Sequence, residues 1–315
     1  MPRVIISGNY FPHRDIKYII NGNELQIVPF PKLDHITDEE IGQLIQQANN
    51  ADLLIVALFG TNPDKLARLN LEQIHTNKAL WTFDSHHGFE KERRFQQYFN
   101  TYYIAHSPYM SKFDSVRTEW VPDCFLRFDI DILKELRLRS LFENVIKYDI
   151  VFPFKPYNIG NRLNLAQKLE EYFKKIGIRY FLGPVDSGMP YMNLILKSRV
   201  VLNISLLDDL NIRNFEAWGL NRPMLTNKVT DHDRLIDADY STTYFFQRDL
   251  SDFDQMVRRA LSSNRIVDTS VYVLNNHTLI HRYVEMINKS LGTNYSVQRF
   301  YENKPELAET TTWQT

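Results

Sequence analysis

Cysteine is nearly absent: the 315-residue chain carries one, Cys124. A lone thiol excludes an intrachain disulfide and a cysteine-based zinc site, and it fits a reducing compartment. An excess of either charge is also missing. Lys plus Arg number 37 against 38 Asp plus Glu, for a net charge of -1. That balance supplies no global field towards nucleic acid or an anionic membrane, although a local basic face stays open. No apolar run is long enough to span a bilayer, and Met1 leads into the strand-like VIIS without a signal-peptide core. A cytoplasmic protein is expected. There is no Walker A loop, G-x-S-x-G elbow, zinc-protease helix, repeat or low-complexity tract.

What is present suits a globular protein. The hydrophobic fraction of 43% is enough for full cores, and 24% charged residues is ordinary for a soluble chain. The length fits two domains better than one. Seventeen Tyr and 20 Phe are high counts; they are read as core, so a stacking role needs local support.

Strand-like and helix-like stretches alternate. RVIIS runs into Gly8 and Asn9, a strand entering a Gly turn where backbone can approach a ligand, although no G-x-G-x-x-G follows. LQIVPF, DLLIVALFG, ALWTF, YYIAH and EWV read as further strands. ITDEEIGQLIQQANNA reads as a helix capped by Thr37, and FEKERRFQQYF as another. After a helix-like bridge, DIDILKELRLRSLFENVIK, the alternation restarts at YDIVFPF and runs to the terminal helix HTLIHRYVEMINKSLG. Alternation with short connections predicts an α/β fold with two Rossmann-like domains. The expected bounds are 1–128, a linker helix at 129–147, a second domain with the terminal helix at 148–291, and a tail at 292–315, loosely held from Tyr301 onwards.

The stretch from Val200 to Leu235 says most about chemistry. VVLNIS is a buried strand, LLDDLNIR a loop, NFEAWGL a short helix, and RPMLTN a strand opened by Pro223. In parallel sheets ligands sit at the carboxyl ends of strands. There the loop and helix start place Asp208, Asp209, Arg213 and Glu216, and the helix N–H groups suit an anion. Spacing alone also allows Arg213 and Glu216 to be an exposed i, i+3 pair.

This stretch resembles the signature of GT-B glycosyltransferases, and within them the CgeB-like (spore-maturation) enzymes, whose pattern is roughly R-x-F-E-x-x-x-x-G-x-P. Arg213, Phe215, Glu216, Ala217, Gly219 and Pro223 lie on it, with a spacing that departs after the Gly. His277, Thr278 and Arg282 of HTLIHRY resemble a further stretch near the end of those proteins. The resemblance implies a GT-B architecture, two Rossmann-like domains facing across a cleft. It also implies transfer of a sugar from a nucleotide-sugar, UDP- or GDP-linked, by a retaining and metal-independent route. Glu216 would then hold the ribose hydroxyls. Asp208, with seven residues between it and Glu216, would replace the first acid of a Glu-x7-Glu motif and lie near the sugar.

In the same comparison Lys155 and Arg162, in the loop after the second domain's first strand, grip the diphosphate, with the two residue types exchanged. A preorganised cation there stabilises charge developing on the leaving group. Their other reading is a solvated pair near a helix N-terminus. Asp84, His86 and His87 form the polar turn after ALWTF and face the cleft in such an architecture. The His pair is otherwise structural, and neighbouring His residues ligate one metal ion poorly, so no metal is expected. His106 is a weaker candidate of the same kind. Asp129 and Asp131 are read as helix-capping acids rather than a metal-binding Asp-x-Asp. The acceptor is open between a glycan, a lipid-linked intermediate and a modified DNA base. A non-catalytic nucleotide- or sugar-binding protein is the alternative.

Overall fold

Alternating buried patterns become two parallel sheets. The computed structural model describes residues 1–8, 20–21, 25–31, 33–58, 60, 62–125, 135–136, 138–140, 145–154, 162–205, 207–235, 242–263 and 268–297. Contacts divide the chain into two units. Unit 1 comprises Met1–Asp129, Asp208–Leu210 and Asn275–Arg299; unit 2 comprises Ile130–Leu207, Asn211–Leu274 and Phe300–Thr315.

In unit 1 the strands are β1 (Arg3–Ser7), β2 (Ile20–Asn21), β3 (Gln26–Phe30), β4 (Leu53–Leu58), β5 (Asn77–Thr82), β6 (Thr101–Ile104) and β7 (Arg117–Trp120). Six of them form one parallel sheet in the order β3-β1-β4-β5-β6-β7. β4, LLIVAL, is buried at every position, as a central strand covered on both faces must be. Helix α1 (Asp38–Ala48) starts at the predicted Thr37 through a full capping box with Glu40. Leu54, Val56, Leu80 and Tyr102 share a core with Ile41 and Leu44 of α1.

The opposite sheet face explains a difference from the expected boundaries. Strand alternation turns Trp81 and Tyr103 away from Leu80 and Tyr102. Trp81 meets Tyr283 of the terminal helix (Leu279–Leu291) edge-on at 5.7 Å. The Tyr103 hydroxyl donates to the Met286 carbonyl at 3.1 Å and lies 2.7 Å from Ser290 Oγ. Two buried aromatics of roughly 150–250 Å² each need a cover, and the terminal helix supplies it. That helix therefore groups with unit 1 rather than with the rest of 148–291, as the resemblance implies in having the C-terminal segment return to the first domain. Ser296–Val297, inside the expected tail, pairs antiparallel with β2; the tail from Tyr301 lies outside the described residues.

The HTLIHRY stretch is part of the same attachment. Phe125 N–H donates to the His277 carbonyl at 2.8 Å. Arg282, 4% exposed, donates to the carbonyls of Pro122 and Asp123 at 3.0 and 3.1 Å. Burial and the Arg282 charge hold His277 well below its usual range, so it stays neutral in this cage. Cys124 is buried beside it, and burial pushes its thiol up, away from reactivity.

Unit 2 has β8 (Tyr148–Pro153), β9 (Tyr180–Gly183), β10 (Ser198–Asn203), β11 (Met224–Asn227) and β12 (Thr243–Phe246), parallel in the order β12-β11-β10-β8-β9. Helices Arg162–Ile176 and Phe253–Ser262 pack Leu169, Phe173, Phe253 and Val257 on Phe152, Val200, Leu202 and Leu225. Both units are Rossmann-like, as predicted. The helix Thr269–Asn276 was not foreseen, because DTSVYVLNN lacks a helical stripe. Of the expected linker helix, residues 135–136 and 138–140 are helical, 145–147 are in neither helix nor strand, and the rest, with Asp129 and Asp131, lies outside the described residues. No helix among the described residues is long and apolar enough to cross a membrane.

Candidate active site

In unit 2 the chain adds β9 outside β8, then returns to place β10 on the other side of β8. Neighbouring connections diverge at that switch point, leaving a crevice at the carboxyl ends of β8 and β10. Arg213 spans it. Its Nη2 donates to the carbonyl of Pro153, the last residue of β8, at 2.5 Å; its Nη1 donates to Oδ1 of Asn203, the last of β10, at 2.9 Å. The guanidinium lies over the Phe152 ring at 5.7 Å. These acceptors are neutral, so they orient the cation without cancelling its charge.

Arg213 comes from the helix Ile212–Gly219, capped by Asn211, whose Oδ1 accepts from the Arg213 N–H at 3.2 Å. Asn211 Nδ2 also donates to Asn203 Oδ1 at 3.1 Å, fastening the helix start to β10. One turn on, Glu216 is 1% exposed. The buried Tyr191 hydroxyl faces Glu216 and Arg213, and burial, then the Glu216 charge, push this phenol above its usual range. Arg213 and Glu216 are thus not an exposed helix pair. Behind them, His232 Nδ1 accepts from the Val229 N–H at 3.0 Å, which places the neutral ring's proton on Nε2, 3.1 Å from Asn214 Oδ1.

The irregular spacing after Gly219 has a local cause. Leu220 ends the helix and Asn221 turns left-handed at φ 52°. Arg222, 5% exposed, donates to Leu196 O at 2.7 Å and to Ser140 O at 3.2 Å. A cation there meets carbonyls at helix ends, where the dipole favours it. Glu216 to Pro223 spans seven positions, as in the resembled pattern, so Asn221 stands where that pattern has its Gly and takes the left-handed turn in its place.

Of the other expected donor residues, Arg162 opens the helix Arg162–Ile176, without a described side chain, and Lys155 lies outside the described residues. Asp208 is half-buried with φ 57° and groups with unit 1, whereas Arg213 and Glu216 group with unit 2.

Unit 1 has its own switch point, between β1 and β4. Gly8 stands there at φ 104°, and a Cβ on it would lie 2.0 Å from the Ala57 carbonyl oxygen. Only glycine fits that approach. Asn9 is outside the described residues.

The end of β5 differs from expectation. Asp84 to Gly88, read as a turn, is the start of helix α2 (Ser85–Arg93), which kinks at Gly88. Gly88 masked the helical signal. Asp84 is exposed at the N-cap without a side-chain capping bond; His86 and His87 lie in the first turn, their side chains not described. His106, after β6, is 2% exposed. Among the described residues no three His, Cys, Asp or Glu side chains gather as a metal site.

Sequence reasoning missed Tyr191, Asn203 and Glu92. Asn203 was legible as an amide closing an apolar strand, as Asn227 also does. Tyr191 and Glu92 sit in helices whose pattern carries no such sign.

Residues 158–288 match the model of a family described as glycosyl transferase-like. No curated protein matches the sequence. Among solved structures, the chain is similar to an alpha-glucosyltransferase in complex with UDP-glucose and DNA containing an abasic site. The identity is 9%, the TM-score 0.51, and 91% of this chain and 95% of that one are covered. It is similar to HepE from Anabaena in complex with UDP and glucose, at 10% identity and TM-score 0.53, covering 92% and 100%. It is also similar to sucrose-phosphate synthase from Thermosynechococcus elongatus, at 9% identity and TM-score 0.50, covering 93% and 99%. These likenesses show the fold, and the family match covers 131 of the 315 residues.

Proposed function

We propose that the chain transfers a sugar from a UDP-sugar, using the crevice at the ends of β8 and β10 as its donor site. The observation that carries this reading is Arg213, held by Pro153, Asn203 and the Phe152 ring at the switch point, inside the segment that matches the glycosyl transferase-like family. Arg213 meets the diphosphate there, joined by Lys155 and Arg162. As the glycosidic bond breaks, negative charge grows on the diphosphate, and a preorganised guanidinium stabilises it without reorganisation.

Glu216 takes the ribose hydroxyls, which donate to its two oxygens. It is 1% exposed and lies beside the Tyr191 phenol, so the nucleotide reaches it at a nearly closed position. Gly8 and Asn9 are backbone contacts for the ligand in this reading, and Asp84 with His86 or His87 acts on the sugar or acceptor. Asp208 lies near the sugar. The route is retaining and metal-independent in this reading. The acceptor is a glycan, a lipid-linked intermediate or a modified DNA base; likeness to a structure containing UDP-glucose and DNA puts the last in the first round of tests.

The experiment is a panel of UDP- and GDP-sugars, followed for donor hydrolysis and for transfer to each acceptor class, with and without a chelator. Binding of UDP without turnover on any donor and acceptor would favour the non-catalytic binding protein.

A further inference from the structure

Thr82 closes β5, Ser85 opens α2, and Glu92 reaches back from the last turn of α2 between them. Glu92 is 2% exposed. Three oxygen–oxygen contacts join the groups in a closed circuit. Thr82 Oγ1 meets Glu92 Oε1, Thr82 Oγ1 lies 3.0 Å from Ser85 Oγ, and Ser85 Oγ lies 2.8 Å from Glu92 Oε2. Each contact needs one hydrogen. The two hydroxyls supply two, so an ionised Glu92 leaves one contact without a proton. A neutral carboxyl supplies the third: Glu92 donates to Thr82, Thr82 to Ser85, and Ser85 back to the Glu92 carbonyl oxygen.

We propose that Glu92 is a positioning residue: with Thr82 and Ser85 it forms a three-hydrogen-bond ring that holds the Asp84–His87 segment at the end of β5, complete only while Glu92 keeps its proton. Its bearing on turnover rests on the glycosyl-transfer reading; the ring itself does not.

The surroundings agree. Burial lifts the Glu92 carboxyl to about 7 against the lowering pull of the two hydroxyls, and the charge of Asp84 adds to the lift. From β6, the Tyr102 hydroxyl donates to the Glu92 backbone carbonyl at 2.9 Å. The cations of α2 and its neighbours are engaged elsewhere. Lys91 and Arg94 pair with Asp64 of the 3₁₀ turn Pro63–Leu69, Arg93 with Asp114, and Lys112 of the turn Ser107–Lys112 lies over the Phe89 ring. Near neutral pH the ring therefore gains and loses its proton, and the segment bearing Asp84, His86 and His87 is held or released with it.

The test compares wild type with Glu92→Gln and Thr82→Val. In Glu92→Gln the amide donates to Thr82 and accepts from Ser85 at every pH, so the ring is kept; Thr82→Val breaks it with little change of shape. Carbon-13 titration of the glutamate carboxyls is expected to place Glu92 near neutrality. Above that pH, amide protection over Ser85–Phe89, corrected for intrinsic exchange, is expected to fall about tenfold in wild type, the equivalent of one hydrogen bond. It should stay level in Glu92→Gln and be low throughout in Thr82→Val. A Glu92 already ionised at pH 6, or equal protection at pH 9 in wild type and Glu92→Gln, overturns the ring. UDP-glucose hydrolysis is the separate readout. Any pH dependence common to both proteins belongs to other groups, such as His86 and His87, and wild type alone should lose a further tenfold by pH 9. Identical profiles would remove Glu92 from turnover. No hydrolysis in either protein, with titration and exchange as expected, would reject the glycosyl-transfer reading and leave the ring standing.

Discussion

Removing Arg213 tests the donor site most directly. Its guanidinium is oriented by Pro153 O at 2.5 Å, Asn203 Oδ1 at 2.9 Å and the Phe152 ring at 5.7 Å. It approaches a diphosphate already aimed, with its charge uncancelled by those acceptors. A hydrogen bond to a charged group contributes roughly 1.5–3 kcal/mol, so Arg213→Ala should weaken UDP binding about 10- to 150-fold. Arg213→Lys keeps the charge but has no planar fork to bridge Pro153 and Asn203 while facing the ligand, so it should recover only part of the loss. The fold should tolerate both changes, because Arg213 is half-buried and water can replace it on the two acceptors. Calorimetry with UDP at two salt concentrations is the assay. Wild-type affinity should fall as salt rises, and that dependence should flatten in Arg213→Ala. UDP affinity in Arg213→Ala within twofold of wild type, with the same salt dependence, would refute the reasoning and leave Arg213 as a strap between β8 and β10.

Glu216→Ala should weaken UDP by about one to two decades and Glu216→Gln by less, because an amide oxygen still accepts; a 2′-deoxy analogue should lose its disadvantage only in the Ala variant. Gly8→Ala should destabilise unit 1 by roughly 2–5 kcal/mol, since it combines a strained positive φ with a Cβ against the Ala57 backbone; urea unfolding followed by Trp81 fluorescence would show it, and a change within about 0.5 kcal/mol would contradict the close approach. For Glu92 the folded carboxyl titrates near about 7 against an ordinary value of 4.5, so the native state holds a proton that the unfolded chain releases. Its contribution is whole below about 4.5 and is lost as pH rises towards 7. Across that window Glu92→Gln should gain about 3 kcal/mol relative to wild type, and a constant difference in denaturant titrations would reject the raised carboxyl.

The sequence by itself determined the elements and their order. VVLNIS, LLIVAL and RVIIS are apolar runs that only a sheet covered on both faces can bury, and Thr37 with Glu40 writes its own helix start. Such signals are local, repeating every two or about 3.6 residues, and a chain reader sees them whole. Arg213, Glu216 and Gly8 were legible as candidates because each follows a strand-like run in the sequence; that those strand ends lie at switch points is a matter of topology.

Tertiary structure decided what has no period. Tyr191 meets Arg213 and Glu216 across more than twenty positions of chain, and Glu92 closes its ring only because β5 and α2 return to one point. The terminal helix joined unit 1 although its sequence neighbours lie in unit 2, because Trp81 and Tyr103 left an aromatic face that local pattern cannot assign to a partner. A side chain's pattern states that it must be buried; which distant group buries it, and which proton that burial retains, depends on free energies that exist only once the sheet is assembled.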